Sequence, residues 1–175
     1  LADRVAKTAR HLAKWARRQD VEAYRLYDRD IPEIRLVVDR YADHLVVAEY
    51  ARQQTDALPG WLDAMGAGAG QALGIPAEQV HLKRRETGHG PRYRRLDRRG
   101  ERFAVREQRL RFWVNPTDFI DTGLFADHRP TRQWVRELAN GADFLNLYGY
   151  TGAFTCYAAA GGARTTTTVD LSQTY

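Results

Sequence analysis

The chain has 175 residues, a formal net charge of +5 and a sequence pI of about 9.6. That length holds one domain or two small ones, and a hydrophobic fraction of 43% excludes a disordered chain. No run of about 20 apolar residues is present to cross a membrane, and a single cysteine, Cys156, excludes an internal disulfide framework and suits a cytoplasmic chain.

The N-terminal stretch lacks the uninterrupted apolar core of a signal peptide. Instead, Val5, Ala9, Leu12 and Ala16 recur at helical spacing and predict a helix from Asp3, an acceptable N-cap, to about Gln19. Its other face carries Arg4, Lys7, Arg10, Lys14, Arg17 and Arg18 and reads as solvated surface. From Val21 the rhythm changes to period two: "VEAYRLYD" reads as a strand, and "EIRLVVDRYADHLVVAEY" as two strands joined around Tyr41–His44. A second helix is expected within "DALPGWLDAMGAGAGQALG", with Leu58, Leu62, Met65, Ala69 and Leu73 on one side. Gly66, Gly68 and Gly70 weaken it by roughly 1 kcal/mol each relative to Ala. "QVHLKRR" returns to strand, and "ERFAVRE" with "RLRFWV" reads as a closing antiparallel pair. These elements make an α+β module that ends near Asn115-Pro116.

After Pro116 the pattern is that of a parallel sheet. "HRPTRQWVRELANG" is a helix with a glycine stop at Gly141. "DFLNLY" reads as a short buried strand, followed by a glycine turn, a small-residue helix "AFTCYAAAGG" and a β-branched strand "TTTTVD". Such a β-loop-α-β unit brings a cofactor close to the turn, and an acid at the end of the next strand accepts hydrogen bonds from ribose hydroxyls. Here the turn is "YGYTG", with Gly149 and Gly152, and the acid is Asp170, 21 residues after Gly149. The turn is not G-x-G-x-x-G, because Tyr150 and Thr151 separate its two glycines and no third follows. A dinucleotide pyrophosphate needs that third close approach, whereas S-adenosylmethionine, without phosphates, tolerates a looser turn. Cys156, among Phe154, Tyr157 and alanines, reads as a buried structural cysteine rather than a nucleophile. His11, His44, His81, His89 and His128 show no metal-ligand spacing.

The blocks "FWVNPTDFIDTGLFADHRPTR", "DFLNLYGYTGAFTCYAAAGGA" and "TTTTVDLSQTY", with the earlier "VEAYRLYDRDIPEIRLVVDRYADHLVVAEY", closely resemble one family across essentially the whole chain. It is the part of the bacterial bifunctional large-subunit ribosomal RNA guanine methyltransferase that makes 7-methylguanine in 23S rRNA. The resemblance implies a small α+β accessory domain at residues 1–115 that helps hold RNA. It implies further that residues 116–175 begin an α/β Rossmann-like class I S-adenosylmethionine-dependent methyltransferase domain, cut after its second strand. Carried over residue by residue, it places Asp121, Thr122, Gly123, Leu124, Phe125, Asp127, His128 and Arg129 near the cofactor. The turn residues Asn146, Tyr148, Gly149, Tyr150, Thr151 and Gly152 would join them, with Asp170 on the ribose and Ser172 near the adenosine. The family continues past Tyr175 with an Asp-Pro-Pro loop that frames the target base, so the chain is expected to be a fragment and inactive alone.

Guanine N7 carries a lone pair in the neutral base, so no general base is expected and no catalytic residue is assigned here. Nearly all basic residues are Arg, with Lys only at positions 7, 14 and 83, so composition points weakly to nucleic acid and the location of the charge must decide. It clusters in "KRRETGHGPRYRRLDRRGER", where Lys83, Arg84, Arg85, Arg92, Arg94 and Arg95, with Tyr93 as a stacking surface, are the expected contacts to ribosomal RNA. Two other readings stay open on the residues alone: a nicotinamide-dependent oxidoreductase using the same βαβ start, and an RNA-binding module without its own catalysis.

Overall fold

The computed structural model describes residues 1–51, 55, 57–85 and 95–172. Helix α1 (Ala2–Gln19) has Leu1 as its N-cap, two residues before the expected Asp3, and Asp20 ends it in the left-handed conformation with φ 52°. Strands β1 (Ala23–Asp28), β2 (Leu36–Tyr41) and β3 (His44–Tyr50) follow, then helix α2 (Trp61–Leu73) and strand β4 (Val80–Arg85). They form one four-stranded sheet in the order β1-β2-β3-β4. The β2–β3 connection is a two-residue hairpin with Tyr41 opposite His44 and Ala42 at φ 55°. β3 and β4 are parallel, so α2 is the crossover between them.

Alternation along the strands sorts the sheet into two faces. One face carries Leu36, Val38, Leu45 and Val47, which pack with Val5, Ala9 and Ala16 of α1 and Ala69 of α2. A register shift between Arg25 and Tyr27 breaks the alternation in β1, and both Leu26 and Tyr27 enter this core. Two of the three glycines of α2 sit where the helix meets β4: a Cβ would lie 2.4 Å from Leu82 Cδ2 at Gly66 and 2.9 Å from Val80 Cγ2 at Gly70, whereas Gly68 faces open space. Leu58, expected on the apolar side of this helix, lies before its first turn and is exposed.

The opposite face supplies Ala23, Tyr41 and Val46 to a second core. Strands β5 (Phe103–Glu107) and β6 (Leu110–Val114) form a separate antiparallel pair there rather than closing the first sheet. Val105, Phe112 and Val114 of this pair meet Leu124, Ala153 and Tyr157, so the second core crosses the position where the sequence pattern changes. A single turn of 3-10 helix (Ala126–His128) leads into α3 (Arg129–Leu138), then β7 (Asp143–Leu147), α4 (Ala153–Ala160) and β8 (Thr165–Val169). β7 and β8 are parallel, in register from Asp143–Thr165 to Leu147–Val169. The expected burial of β7 does not hold: Asn146 is buried, but Leu145 and Leu147 are 58% and 56% exposed. The described residues cover this two-stranded sheet with α4 but leave both leucines open. No helix among the described residues is long and apolar enough to cross a membrane.

Candidate functional site

The segment that leads from the first half of the chain to the second is pinned from both sides. Asn115 Oδ1 accepts the backbone N–H groups of Thr117 and Asp118 at 3.0 and 2.8 Å. Asp118, 1% exposed, accepts hydrogen bonds from Arg95 at 2.9 Å, from the Thr117 hydroxyl at 3.0 Å and from Gly100 N–H. Burial opposes its ionisation, but these donors outweigh it and hold the carboxyl below its ordinary value. Further along, the Thr122 hydroxyl donates to Tyr41 Oη at 2.8 Å, and the Thr151 hydroxyl donates to the Gly123 carbonyl at 2.7 Å. The last contact ties the segment directly to the glycine turn.

That turn runs from the end of β7 to the start of α4. Tyr148 and Tyr150 take left-handed conformations, φ 55° and 50°, which is rare for residues with side chains and concentrates at functional sites. Gly149 between them has no space for a side chain, since a Cβ would lie 2.3 Å from Thr168 Cγ2. The backbone donors of the turn are largely taken: Gly149 N–H by the Val169 carbonyl at 3.1 Å, Gly152 N–H by the Gly149 carbonyl at 2.8 Å, and Tyr150 N–H by Asp170 Oδ2 at 2.8 Å. A pyrophosphate needs such donors, so the loop is poorly suited to a dinucleotide. The other Asp170 oxygen accepts Ser172 N–H at 2.8 Å. These backbone bonds, from Ser172 first and then Tyr150, lower the Asp170 pKa and keep an exposed carboxylate at the rim.

A cavity of about 180 Å³ lies over the turn. Of the residues assigned to the cofactor, Gly123, Phe125, His128, Asn146, Tyr148, Gly149, Tyr150 and Thr151 line it together. Asn146 is fixed by a hydrogen bond from its amide to the Thr155 hydroxyl at 3.0 Å, and the Phe125 and Tyr150 rings lie 5.1 Å apart. Gly152 caps α4 at φ 76°, and Asp170 and Ser172 flank the turn through the contacts above. Asp127 and Arg129 lie elsewhere, on a second cavity of about 590 Å³ between α1, the first sheet and residues 120–129, where Phe125 also contributes. Arg129 is turned inward: its guanidinium donates to Glu107 at 2.7 Å and to the Ala23 carbonyl. It acts there as a structural cation rather than a ligand to the first cavity. The strand-end carboxylate offers an acceptor for ribose hydroxyls and the aromatic wall an apolar face for a base, so the residues fit an adenosine-bearing group such as S-adenosylmethionine.

Sequence reasoning missed Arg132, Leu147, Ala153 and Phe154, which line the small cavity, and Glu107, which binds Arg132. Arg132 occupies a charged position of an amphipathic helix, a pattern that ordinarily marks solvated surface. Cys156 is also placed differently from expectation, on the exposed side of α4, because Ala153, Tyr157 and Ala158 take the inward face. Partial burial of its side chain raises the thiol pKa, so it is not an activated thiolate.

The expected RNA contacts divide. Arg92, Tyr93 and Arg94 lie outside the described residues. Lys83 does not reach the surface: it is 3% exposed and its ammonium donates to the carbonyls of Phe119 and Ile120 at 2.5 and 3.1 Å. Burial pushes its pKa down to about 8. Arg84 lies 3.9 Å from Glu49, Arg85 is paired with Asp121 at 3.2 Å, and Arg95 with Asp118.

Residues 92–174 match the family model of S-adenosylmethionine-dependent methyltransferases, slightly less than half of the chain. Among solved structures, a candidate SAM-dependent methyltransferase from Streptococcus mutans aligns with a TM-score of 0.74 at 23% identity over 99% of this chain. SMU.776, a candidate methyltransferase crystallised in complex with SAH, aligns with a TM-score of 0.73 at 24% identity over 99% of this chain. A SAM-dependent methyltransferase from Agrobacterium tumefaciens aligns with a TM-score of 0.50 at 22% identity over 79% of this chain. This chain spans 45% of the length of the first two and 41% of the third. At these identities the likeness is one of fold. The chain therefore has the fold found in these structures, and residues 92–174 carry the pattern of a methyltransferase family whose cofactor is S-adenosylmethionine.

Proposed function

We propose that these residues belong to an S-adenosylmethionine-dependent RNA methyltransferase that methylates guanine N7 in 23S rRNA. The observation that carries the cofactor half is the hydrogen bond from Tyr150 N–H to Asp170, which sets the strand-end acid against the glycine turn that lines the cavity. The match of residues 92–174 to the methyltransferase family supports it. The RNA half rests on the resemblance to the guanine methyltransferases and on the run of Arg residues between β4 and β5.

When bound, S-adenosylmethionine supplies a methyl group on a sulfonium. Asp170 would accept from ribose hydroxyls at the rim of the turn, while Asn146, Phe125 and Tyr150, which line the cavity, would exclude water from it. Guanine N7 offers its lone pair in the neutral base, so no side chain of this chain has to remove a proton. Positioning is then the main contribution of the protein. The test is transfer of labelled methyl from S-adenosylmethionine to 23S rRNA by the full natural chain carrying these residues, followed by digestion to nucleosides. Label in 7-methylguanosine is expected. Label in another nucleoside would overturn the assignment to N7, and cofactor binding without RNA labelling would overturn the substrate.

A further inference from the structure

Glu107 ends β5 with 0% exposure, and its carboxylate takes four side-chain hydrogen bonds. Oε1 accepts from Arg132 Nε at 3.0 Å, from Arg132 Nη2 at 2.5 Å and from Tyr157 Oη at 2.9 Å, and Oε2 accepts from Arg129 Nε at 2.7 Å. One carboxylate thus joins β5 to both α3 and α4. Arg132, 1% exposed, has its remaining nitrogen, Nη1, on the Phe125 carbonyl at 2.8 Å, and its guanidinium faces the rings of Phe154 and Tyr157.

Buried ion pairs are poor stabilisers, because desolvation offsets most of the Coulomb attraction and well-packed apolar replacements are often as stable. What this network supplies is geometry. The chain of contacts runs from Glu107 through Arg132 to the backbone of Phe125, whose ring forms one wall of the small cavity against Tyr150. Without the carboxylate, Arg129 and Arg132 become two buried like charges with no counter-ion among these partners. Arg132 would then lose the fixed direction that holds the Phe125 carbonyl.

We propose that Glu107 is a positioning residue for the cofactor, acting through Arg132 to set the Phe125 wall of the cavity. The proposal rests on the cofactor reading above and adds a residue from β5, outside the turn and the strand-end acid. Tyr157 provides the control, because Tyr157→Phe removes one donor to Oε1 but keeps the ring against Arg132, the charge on Glu107 and both Arg132 bonds to it. The experiment is calorimetric titration of S-adenosylhomocysteine into the full natural chain and its variants, with urea unfolding of each.

Glu107→Gln keeps the side-chain shape and removes the charge. It is expected to weaken S-adenosylhomocysteine about tenfold, the scale on which outer groups tune a ligand site. Tyr157→Phe is expected to lower the unfolding midpoint while leaving affinity within about threefold, because the Glu107–Arg132–Phe125 contacts remain. Should Glu107→Gln not fold, Arg132→Lys replaces it, since a single ammonium does not reproduce the fork that spans Glu107 and the Phe125 carbonyl. Equal affinity in the variant and the wild type, or loss of affinity in Tyr157→Phe as large as in Glu107→Gln, would overturn the positioning role. Failure of the wild-type protein to bind S-adenosylhomocysteine would instead overturn the cofactor reading on which it stands.

Discussion

Gly149 and Asp170 sit on opposite sides of one turn and fail in different ways. A methyl group at 149 meets Thr168, whose β-branched side chain is held by the Thr155 hydroxyl, so Gly149→Ala is expected to destabilise the fold by about 1–3 kcal/mol and to distort the cavity. Urea unfolding measures the first effect and cofactor titration the second. Asp170→Ala removes an exposed carboxylate that accepts the Tyr150 and Ser172 N–H groups, and should lower the unfolding midpoint less than Gly149→Ala does. It should weaken S-adenosylhomocysteine by roughly tenfold or more, the loss expected for charged hydrogen bonds. Both residues were legible in the sequence, because a glycine turn and a strand-end acid have a spacing that local chemistry imposes. Glu107 and Arg132 were not, since a buried ion pair between a strand and a helix leaves no local pattern. The same holds for the histidine pair His44 Nδ1 and His81 Nε2, 2.9 Å apart beneath Phe103. Burial first, then His44, Lys83 and Arg99, push the His81 pKa down from 6.5 to about 4. Between those values the unfolded chain binds more protons than the folded one, so stability falls as pH drops from 6.5 toward 4. Allowing for solvent screening of a partly buried ring, the loss is roughly 1 kcal/mol. Urea midpoints at pH 7 and pH 4.5 should therefore differ less in His81→Gln than in the wild type, and an unchanged difference would contradict this.

At the scale of elements, the order of helices and strands followed from periodicity, while their partners did not. Period two identified β5 and β6, but nothing in their alternation says that they stand apart from the first sheet and pack on α4 instead. The exposed β7 leucines show the same limit, because an apolar strand reads as buried whether or not the described residues cover it. Helix α2 illustrates how packing overrides propensity. Its glycines count against a helix, yet Gly70 allows close approach to Val80 and to the Ile75 carbonyl. Gly70→Ala is expected to cost about 1–3 kcal/mol through overpacking. Gly68→Ala faces open space and should instead stabilise by up to about 1 kcal/mol. Opposite signs in chemical denaturation check this, and two stabilising changes would remove the packing argument.

For the whole molecule, the net charge of +5 becomes informative only once the inward-facing cations are set aside. Lys83 holds two carbonyls, and Arg129 and Arg132 hold Glu107; Arg95 is exposed but its charge is engaged by the buried Asp118. Arg92 and Arg94 remain as the proposed phosphate contacts. Replacing both with Ala should flatten the dependence of log affinity for single-stranded RNA on log salt by about 1.4, at about 0.7 per contact. Arg10, Lys14 and Arg17, exposed on α1, are the control triple, and a flatter slope from them alone would relocate the RNA surface. The central claim concerns the cofactor, and the most direct measurement is paired calorimetric titration of the full natural chain with S-adenosylhomocysteine and with NAD. A turn whose Gly149, Tyr150 and Gly152 amides are already bonded should bind S-adenosylhomocysteine and show no measurable affinity for NAD. Tighter binding of NAD, or no binding of S-adenosylhomocysteine, would contradict the account.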